Sequence, residues 1–189
     1  MALLQVIDGK ASIIETVIPP KEAPLQKLID DNLEVITGVR RLESQYPIPN
    51  GRIDTLGIDE RNVPVVIEYK QGHDTGAIVQ ALFYLGWVKQ NRRTFEMLVR
   101  EKLGSQVNVN WNAPPRVIVI AKDIDLKELS AVNQMIPFVE LKRHKFYSGD
   151  LLAIEYATPV RLPLQTLATK EEAEGGEPEL PTLEGILKP

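Results

Sequence analysis

Three residues of the types that serve metal-assisted hydrolysis lie close together in a pair of β-rich segments. Asp54 belongs to the run 52–58, and Glu68 and Lys70 belong to the run 64–70. If the two runs form a hairpin with an odd-numbered turn, Asp54 lies opposite Glu68, and their side chains project to one face about 5 Å apart. Lys70 shares that face because strand side chains alternate with a period of two. A two-residue turn would place Asp54 on the other face.

This arrangement predicts a site for a hard divalent cation. Two close carboxylates supply the oxygen ligands that Mg²⁺ prefers, and the ion usually retains several waters. A lysine beside such an ion can orient or deprotonate a bound water, while the ion stabilises a phosphorane-like transition state. The alternative is a solvated hairpin face whose ion pairs contribute about 0–1 kcal/mol.

A second polar pair follows on a predicted helix. Gln80 and Tyr84 are four residues apart and therefore share one helix face. From that face they could reach the metal site or a nucleic-acid phosphate, or they could simply find backbone partners. The neighbouring aromatic residues Phe83 and Trp87 are predicted to lie in the core.

The elements that position these residues follow from hydrophobic periodicity and turn signals. The sequence predicts an N-terminal hairpin around Asp8-Gly9, a helix over 23–37 capped by Gly38, and a short strand over 42–46. The strands 52–58 and 64–70 come next. The helix over 76–91 is apolar nearly all round and is therefore expected to be buried on both sides. The remaining predicted elements are a helix over 94–103, a central strand over 116–121, a helix over 125–136, and strands over 138–147 and 151–156. The fold class is α/β (α+β), with a central mixed β-sheet flanked by helices.

Three motifs stand in order along these elements: Gly51-Arg52-Ile53-Asp54, Ile67-Glu68-Tyr69-Lys70 and Gln80-Ala81-Leu82-Phe83-Tyr84. Their pattern resembles the PD-(D/E)XK nuclease superfamily, and most closely its RecB-like and NucS-type branch. The resemblance covers residues 25–90 and implies a restriction-endonuclease-like αβββαβ core, which agrees with the predicted order of elements.

The resemblance also implies a role for each residue of the hairpin. Asp54 and Glu68 would bind the metal ion, Mg²⁺ or Mn²⁺, and the backbone carbonyl of Tyr69 would be a third ligand. Lys70 would position the attacking water.

Further roles implied by the resemblance fall on helical residues. Gln80 would orient the active site or the DNA, and Tyr84 would support it. A glutamate from the first helix would lie near the metal, which is Glu34 in this chain. The helical wheel places Glu34 opposite the apolar stripe of that helix, so this role requires the helix end to turn toward the site.

Several basic residues are candidates for contact with nucleic acid, although charge runs are usually only solvated. Arg92 and Arg93 are predicted at the end of the helix 76–91, where cations are favoured in any case. The candidates are Arg52, His73, Arg92, Arg93, Lys142, Arg143 and Lys145.

Composition sets the outer limits. The chain has 189 residues, no cysteine and a formal net charge of −4. This length suits a single nuclease-like domain over 1–157, followed by a Pro/Glu-rich extended or disordered tail over 158–189. The lack of cysteine excludes thiolate metal sites and fits the cytoplasm, and no apolar run is long enough for a membrane span. The N-terminus is expected to lack a signal peptide.

The sequence thus predicts a Mg²⁺-dependent hydrolase that cuts DNA, as an endo- or exodeoxyribonuclease. Two alternatives stay open: a non-catalytic nuclease-fold module that binds nucleic acid or a partner protein, and an RNA-directed nuclease. A homodimer would suit cleavage of two strands, since that requires two active sites, but no residue pattern indicates one.

Overall fold

The computed structural model describes residues 2–18, 21–70, 76–124, 126–132 and 138–157. Its strands are β1 (Leu4–Ile7), β2 (Lys10–Ile13), β3 (Thr16–Val17), β4 (Arg40–Ile48), β5 (Gly51–Ile58), β6 (Pro64–Lys70), β7 (Arg116–Ala121), β8 (Phe138–Tyr147) and β9 (Leu151–Tyr156). Its helices are α1 (Glu22–Asp31), α2 (Leu33–Thr37), α3 (Ala77–Gln90), α4 (Arg92–Leu103) and α5 (Leu126–Val132). The predicted tail lies outside the described residues. None of the described helices is long and apolar enough to cross a membrane.

Seven of the described strands form one mixed sheet, which confirms the predicted fold class. The order is β3-β8-β7-β6-β5-β4, and β9 pairs with β8. Strands β6, β7 and β8 are parallel to one another, whereas β4, β5 and β6 form antiparallel pairs. The predicted N-terminal hairpin, β1 with β2, forms a separate two-stranded sheet. Its turn has positive φ angles at Asp8 and Gly9, as a tight primed turn requires.

Helices cover both faces of the sheet. On one face, α3 and α4 pack over a large apolar cluster that includes Val66 and Val117. On the other face, α1 and α2 cover Val65, Ile67 and Tyr69. Successive residues of β6 therefore point to opposite layers, because strand side chains alternate. By this alternation Glu68 lies on the α3 face, and Tyr69 lies on the α1 face.

The predicted helix over 23–37 is wrong as a single element, because it is broken at Asn32. The side-chain amide of Asn32 donates to the carbonyl of Leu28, and its backbone leaves helical geometry with φ −122°. Gly38, at φ 70°, ends α2 as predicted. Strand β4 continues through Pro47, past the expected break. It can do so because β4 lies at the edge of the sheet, where a missing backbone donor costs little.

The prediction that the helix 76–91 is buried on both sides is also wrong. Helix α3 lies on one face of the sheet, so Val79 and Phe83 on its outer side are 68% and 51% exposed. Trp87 is partly buried and packs against Tyr46, with ring centroids 5.7 Å apart.

The turn between β5 and β6 has the odd length that the hairpin argument required. Asp59 caps it: one carboxylate oxygen accepts the backbone N–H groups of Arg61 and Val63. The other oxygen lies 2.9 Å from Nη1 of Arg116. The resulting register pairs Thr55 with Ile67, which is the alignment predicted from sequence.

Candidate active site

The strands β5 and β6 change their mode of contact where the two predicted carboxylates meet. Their ladder runs from Ile58 to Thr55. At the next position, the Asp54 side chain takes the place of a ladder partner, because its Oδ2 accepts the backbone N–H of Tyr69 at 3.1 Å. The backbone N–H of Asp54 lies 3.4 Å from Oε1 of Glu68. The structure thus brings Asp54 and Glu68 together at the open end of this strand pair.

Glu68 has an unusual electrostatic environment. Its side chain is fully buried, and in the described part of the chain its Oε2 has no hydrogen-bond partner. Burial, followed by the charge of Asp54, raises the pKa of Glu68 to about 9. At neutral pH the metal-free pair therefore holds one proton more than two free carboxylates would.

Lys70 lies at the end of β6, two residues beyond Glu68 and half-buried. Its positive charge lowers the pKa of Glu68, although less than burial and Asp54 raise it. The carbonyl of Lys70 accepts the backbone N–H of Lys122 at 3.3 Å, which extends the contact between β6 and the end of β7. The predicted lysine therefore stands beside the predicted carboxylates.

Gln80 and Tyr84 form a connected pair on α3, as their spacing predicted. Nε2 of Gln80 donates to the Tyr84 hydroxyl at 2.8 Å, and the backbone N–H of Arg52 donates to the same oxygen at 3.3 Å. The Tyr84 ring lies so close to Gly51 that a Cβ at this glycine would be 2.8 Å from it. The pair is thereby attached to the start of β5, rather than to the carboxylates themselves.

A buried acid on the other face of the sheet was missed by the sequence analysis. Asp30 of α1 accepts hydrogen bonds from the hydroxyls of Thr55 at 2.7 Å, Tyr69 at 2.8 Å and Ser44 at 2.6 Å. Burial and the nearby Asp30 raise the pKa of Tyr69, which keeps its hydroxyl a donor. Thr55 and Tyr69 directly follow Asp54 and Glu68, so one carboxylate fixes the residue after each candidate ligand.

Two amide side chains contact Asp54 from its open side. Nε2 of Gln45 donates to Oδ1 of Asp54 at 3.0 Å, and Nε2 of Gln26 donates to the Asp54 carbonyl at 2.8 Å. These residues line a groove of about 690 Å³ between α1 and the strands β4 and β5, together with Asp30 and Ser44. The spacing of Gln26 and Asp30, four residues apart beside the apolar stripe of α1, is a signal that could have located this polar face.

Glu34 does not join this site in the structure. It lies in the first turn of α2, where it is exposed, and among the described residues it does not line the groove beside Asp54. The break at Asn32 separates α2 from α1, and the acid that α1 directs into the sheet is Asp30.

The basic run of β8 is not the solvated surface that the sequence suggested. Lys142 is only 3% exposed, 3.9 Å from Glu140 and over the ring of Tyr156. Arg143 is half-buried and donates to the carbonyl of Ile124. Lys145 lies 3.9 Å from Glu155. The predicted nucleic-acid contact of this run is wrong for Lys142, because β8 is an interior strand flanked by β7 and β9.

The other basic candidates have different positions. Arg92 and Arg93 are exposed, but they begin α4 rather than end α3, so the helix-end argument for cations was wrong. Arg92 stacks on Trp111, 4.8 Å from the ring centroid. Arg52 is exposed at the start of β5, near the site. His73 lies outside the described residues.

The three motifs lie within one segment that matches a known family model. The family model of the endonuclease NucS C-terminal domain matches residues 21–109. This match confirms the predicted resemblance to the NucS-type branch of PD-(D/E)XK nucleases. The NucS-like segment, as we call residues 21–109, contains Asp54, Glu68, Lys70, Gln80 and Tyr84, together with α1 and β4.

Individual relatives are more distant. An uncharacterized protein of Haemophilus influenzae is 26% identical over 137 residues, which cover 70% of this chain and 45% of the relative. A repair endonuclease from Pyrococcus abyssi has 23% identity and a TM-score of 0.43, over 66% of this chain and 48% of that chain. EndoMS in complex with double-stranded DNA has 16% identity and a TM-score of 0.41, over 76% of this chain and 64% of that chain. The chain thus spans about half the length of the first two relatives.

Proposed function

We propose that this protein is a divalent-cation-dependent nuclease that hydrolyses DNA phosphodiester bonds. The observation that carries the proposal is the contact between Asp54 and Glu68 at the open end of β5 and β6, with Lys70 beside them. The NucS-like segment adds support, since it contains all three residues. The nucleases among the structures similar to this chain, one of them a complex with double-stranded DNA, suggest DNA as the substrate.

The donor set fits Mg²⁺ or Mn²⁺. Among the described residues, Oε2 of buried Glu68 has no hydrogen-bond partner and lies next to a second carboxylate, a costly arrangement that a cation would relieve. Among the described residues no group of three or more metal-binding side chains converges, so backbone and water oxygens would complete the coordination. Mg²⁺ commonly binds through one or two carboxylates in this way.

The backbone of Tyr69 is the best candidate for a third protein ligand. Its N–H points to Asp54, and the N–H and C=O of one strand residue point to the same side. The Tyr69 carbonyl is therefore directed between β5 and β6, where the ladder has ended. The hydrogen bond from its hydroxyl to Asp30 would hold this carbonyl in position.

Each side chain of the site has a distinct task in this proposal. A bound cation supplies Lewis-acid stabilisation of the charge that develops on the phosphate and lowers the pKa of a coordinated water. Asp54 and Glu68 would hold the cation, and Lys70 would orient the attacking water. Gln80 and Tyr84 fix the start of β5, beside the exposed Arg52, which would contact a phosphate of the DNA.

The test is cleavage of supercoiled plasmid and of single-stranded DNA in the presence of Mn²⁺ or Mg²⁺. Wild type is compared with Asp54→Asn and Lys70→Ala, and we expect metal-dependent cutting that each substitution reduces at least 100-fold. Matched controls on the separate hairpin, Asp8→Asn and Lys10→Ala, should cut like wild type. Calorimetric titration with Mn²⁺ on the same samples should show binding that Asp54→Asn loses.

The outcomes separate the proposal from a non-catalytic role. Wild type that neither cuts DNA nor binds Mn²⁺ at Asp54 would overturn it and favour a binding module with a nuclease fold. A single-stranded RNA is included as a third substrate. If it is cut faster than the plasmid and the single-stranded DNA, the proposed metal-dependent hydrolysis stands, but the substrate is RNA.

A further inference from the structure

Gln45 has a backbone conformation that is uncommon inside a strand. It lies on β4 between Ser44, which pairs with Thr55, and Tyr46, which pairs with Ile53, so its register position faces Asp54. Its φ is 54°, in the left-handed region that glycine and asparagine tolerate better than glutamine. Such a conformation persists only when surrounding contacts compensate for it, and it is found frequently at functional sites.

The contacts that compensate are directed at Asp54. Nε2 of Gln45 donates to Oδ1 of Asp54 at 3.0 Å and lies 2.9 Å from Oε1 of Gln26. Nε2 of Gln26 in turn donates to the Asp54 carbonyl at 2.8 Å. The two amides therefore form a closed ring of hydrogen bonds around one residue, which joins α1, β4 and β5.

We propose that Gln45 and Gln26 are positioning residues that orient the Asp54 carboxylate toward the metal ion; this inference rests on the function proposed above. We call the pair the amide clamp. An ionised carboxylate has about four lone-pair sites. Gln45 occupies one on Oδ1 and the Tyr69 N–H occupies one on Oδ2, and a cation held between Asp54 and Glu68 would take the place of the hydrogen bond between these two side chains.

The chemical type of the clamp supports this role. An amide fixes the orientation of a carboxylate without cancelling its charge, whereas a lysine or arginine at this place would compete with the cation. Polar groups that orient metal ligands typically change metal affinity by 10- to 100-fold when they are removed. If Gln45 only maintained the left-handed backbone conformation, glycine could replace it without loss of metal affinity, because glycine adopts that conformation at least as readily.

The experiment uses two substitutions at Gln45 that differ in backbone strain. Gln45→Gly removes the side-chain amide and relieves the strain of the left-handed conformation. Gln45→Met keeps that strain and the approximate side-chain length, but its side chain has no N–H donor. For both variants we expect the Mn²⁺ dissociation constant from calorimetry to rise at least 10-fold and metal-dependent DNA cleavage to fall in parallel. The urea midpoint of metal-free Gln45→Gly should equal or exceed that of wild type.

The second amide and a matched control complete the test. Gln26→Ala should also raise the Mn²⁺ dissociation constant. The double variant Gln26→Ala/Gln45→Gly should raise it little more than the stronger single substitution does, because the two amides act as one unit. Asp8→Gly relieves a similar positive φ of 51° in the β1–β2 turn and should leave Mn²⁺ affinity and cleavage unchanged.

Each result decides a different claim. If wild type binds Mn²⁺ and cuts DNA while both Gln45 variants bind within twofold of wild type, the amide clamp is overturned and the proposed function stands. If the Gln45 variants lose affinity only in proportion to a lowered urea midpoint, the role is structural and the inference fails. Wild type without Mn²⁺ binding or cleavage would overturn both proposals together.

Discussion

The backbone N–H of Tyr69 donates a hydrogen bond to Oδ2 of Asp54, 3.1 Å away, in place of a bond to the neighbouring strand. A side chain thus takes over the role of the sheet ladder at the point where β5 and β6 stop pairing. Because Tyr69 also donates to Asp30 through its hydroxyl, the candidate metal site is tied to helix α1 on the opposite face of the sheet.

Asp30 should matter for stability more than its exposed neighbour Asp31. Asp30→Ala leaves the buried hydroxyls of Thr55 and Tyr69 without their acceptor, which should lower the free energy of unfolding by about 2–5 kcal/mol. Asp31 forms exposed ion pairs with Lys27 and Arg41, so Asp31→Ala should leave the urea midpoint nearly unchanged. Urea denaturation of both variants checks this contrast, and equal midpoints would contradict the network.

Glu68 should make the metal-free protein less stable as the pH rises. Its pKa in the folded protein, about 9, lies above the ordinary value of 4.5 in the unfolded chain. The folded state therefore binds more protons than the unfolded chain. The contribution of Glu68 to the free energy of unfolding is fully present below about pH 4.5 and is lost as the pH rises through 9. We expect the urea midpoint in EDTA to fall between pH 5 and pH 9, and Glu68→Gln to remove most of that slope. If the urea midpoint of Glu68→Gln falls with pH as steeply as that of wild type, the pH dependence comes from another group.

Binding of Mn²⁺ should release a proton near neutral pH. The cation requires Glu68 as a carboxylate, whereas burial and Asp54 keep it protonated in the metal-free protein. Affinity should therefore increase with pH up to about 9. Calorimetric titrations at pH 7 in buffers of different ionisation enthalpy measure the number of protons released, and we expect about one per bound ion. A heat of binding that does not depend on the buffer would contradict this protonation scheme.

Two buried or half-buried glycines should respond to alanine in opposite ways. A Cβ at Gly57 of β5 would clash with Cγ1 of Val39 and lie 2.8 Å from the carbonyl oxygen of Arg40, so Gly57→Ala should lower the free energy of unfolding by about 1–3 kcal/mol. A Cβ at Gly86 of α3 would meet no atom within 4 Å, and Gly86→Ala should stabilise the helix by about 0.5–1 kcal/mol. Thermal unfolding of both variants tests the tight contact between β5 and β4.

The sequence predicted those parts of the site that depend on local pattern. The alternation of β6 predicted that Glu68 and Lys70 share a face, and it placed Asp54 opposite Glu68 on the condition of an odd turn, which the structure supplies. The spacing of Gln80 and Tyr84 likewise predicted a shared helix face. Each of these relations depends on the period of one element or on the length of one turn.

The residues that sequence analysis missed depend on contacts between distant elements. Gln45 faces Asp54 because of an irregularity in β4 between Arg41 and Glu43 and because of its own left-handed backbone, neither of which has a sequence signal. The predicted exposure of Lys142 was wrong for a similar reason: a charged residue on an interior strand can be compensated by a carboxylate and an aromatic ring that lie elsewhere in the chain. Only the packed structure shows such compensation.

The capped turn between β5 and β6 has a consequence for how this protein can change in evolution. Most surface loops accept insertions and deletions readily. In this turn, gain or loss of one residue would shift the pairing of β6 and send Glu68 to the α1 face, away from Asp54. Asp59 and Arg116 hold the turn at the end of the hairpin that lies away from the carboxylates. They thus maintain the register of Asp54 and Glu68 without contacting either residue. We expect the number of residues in this turn to be as invariant among active relatives as the carboxylates themselves.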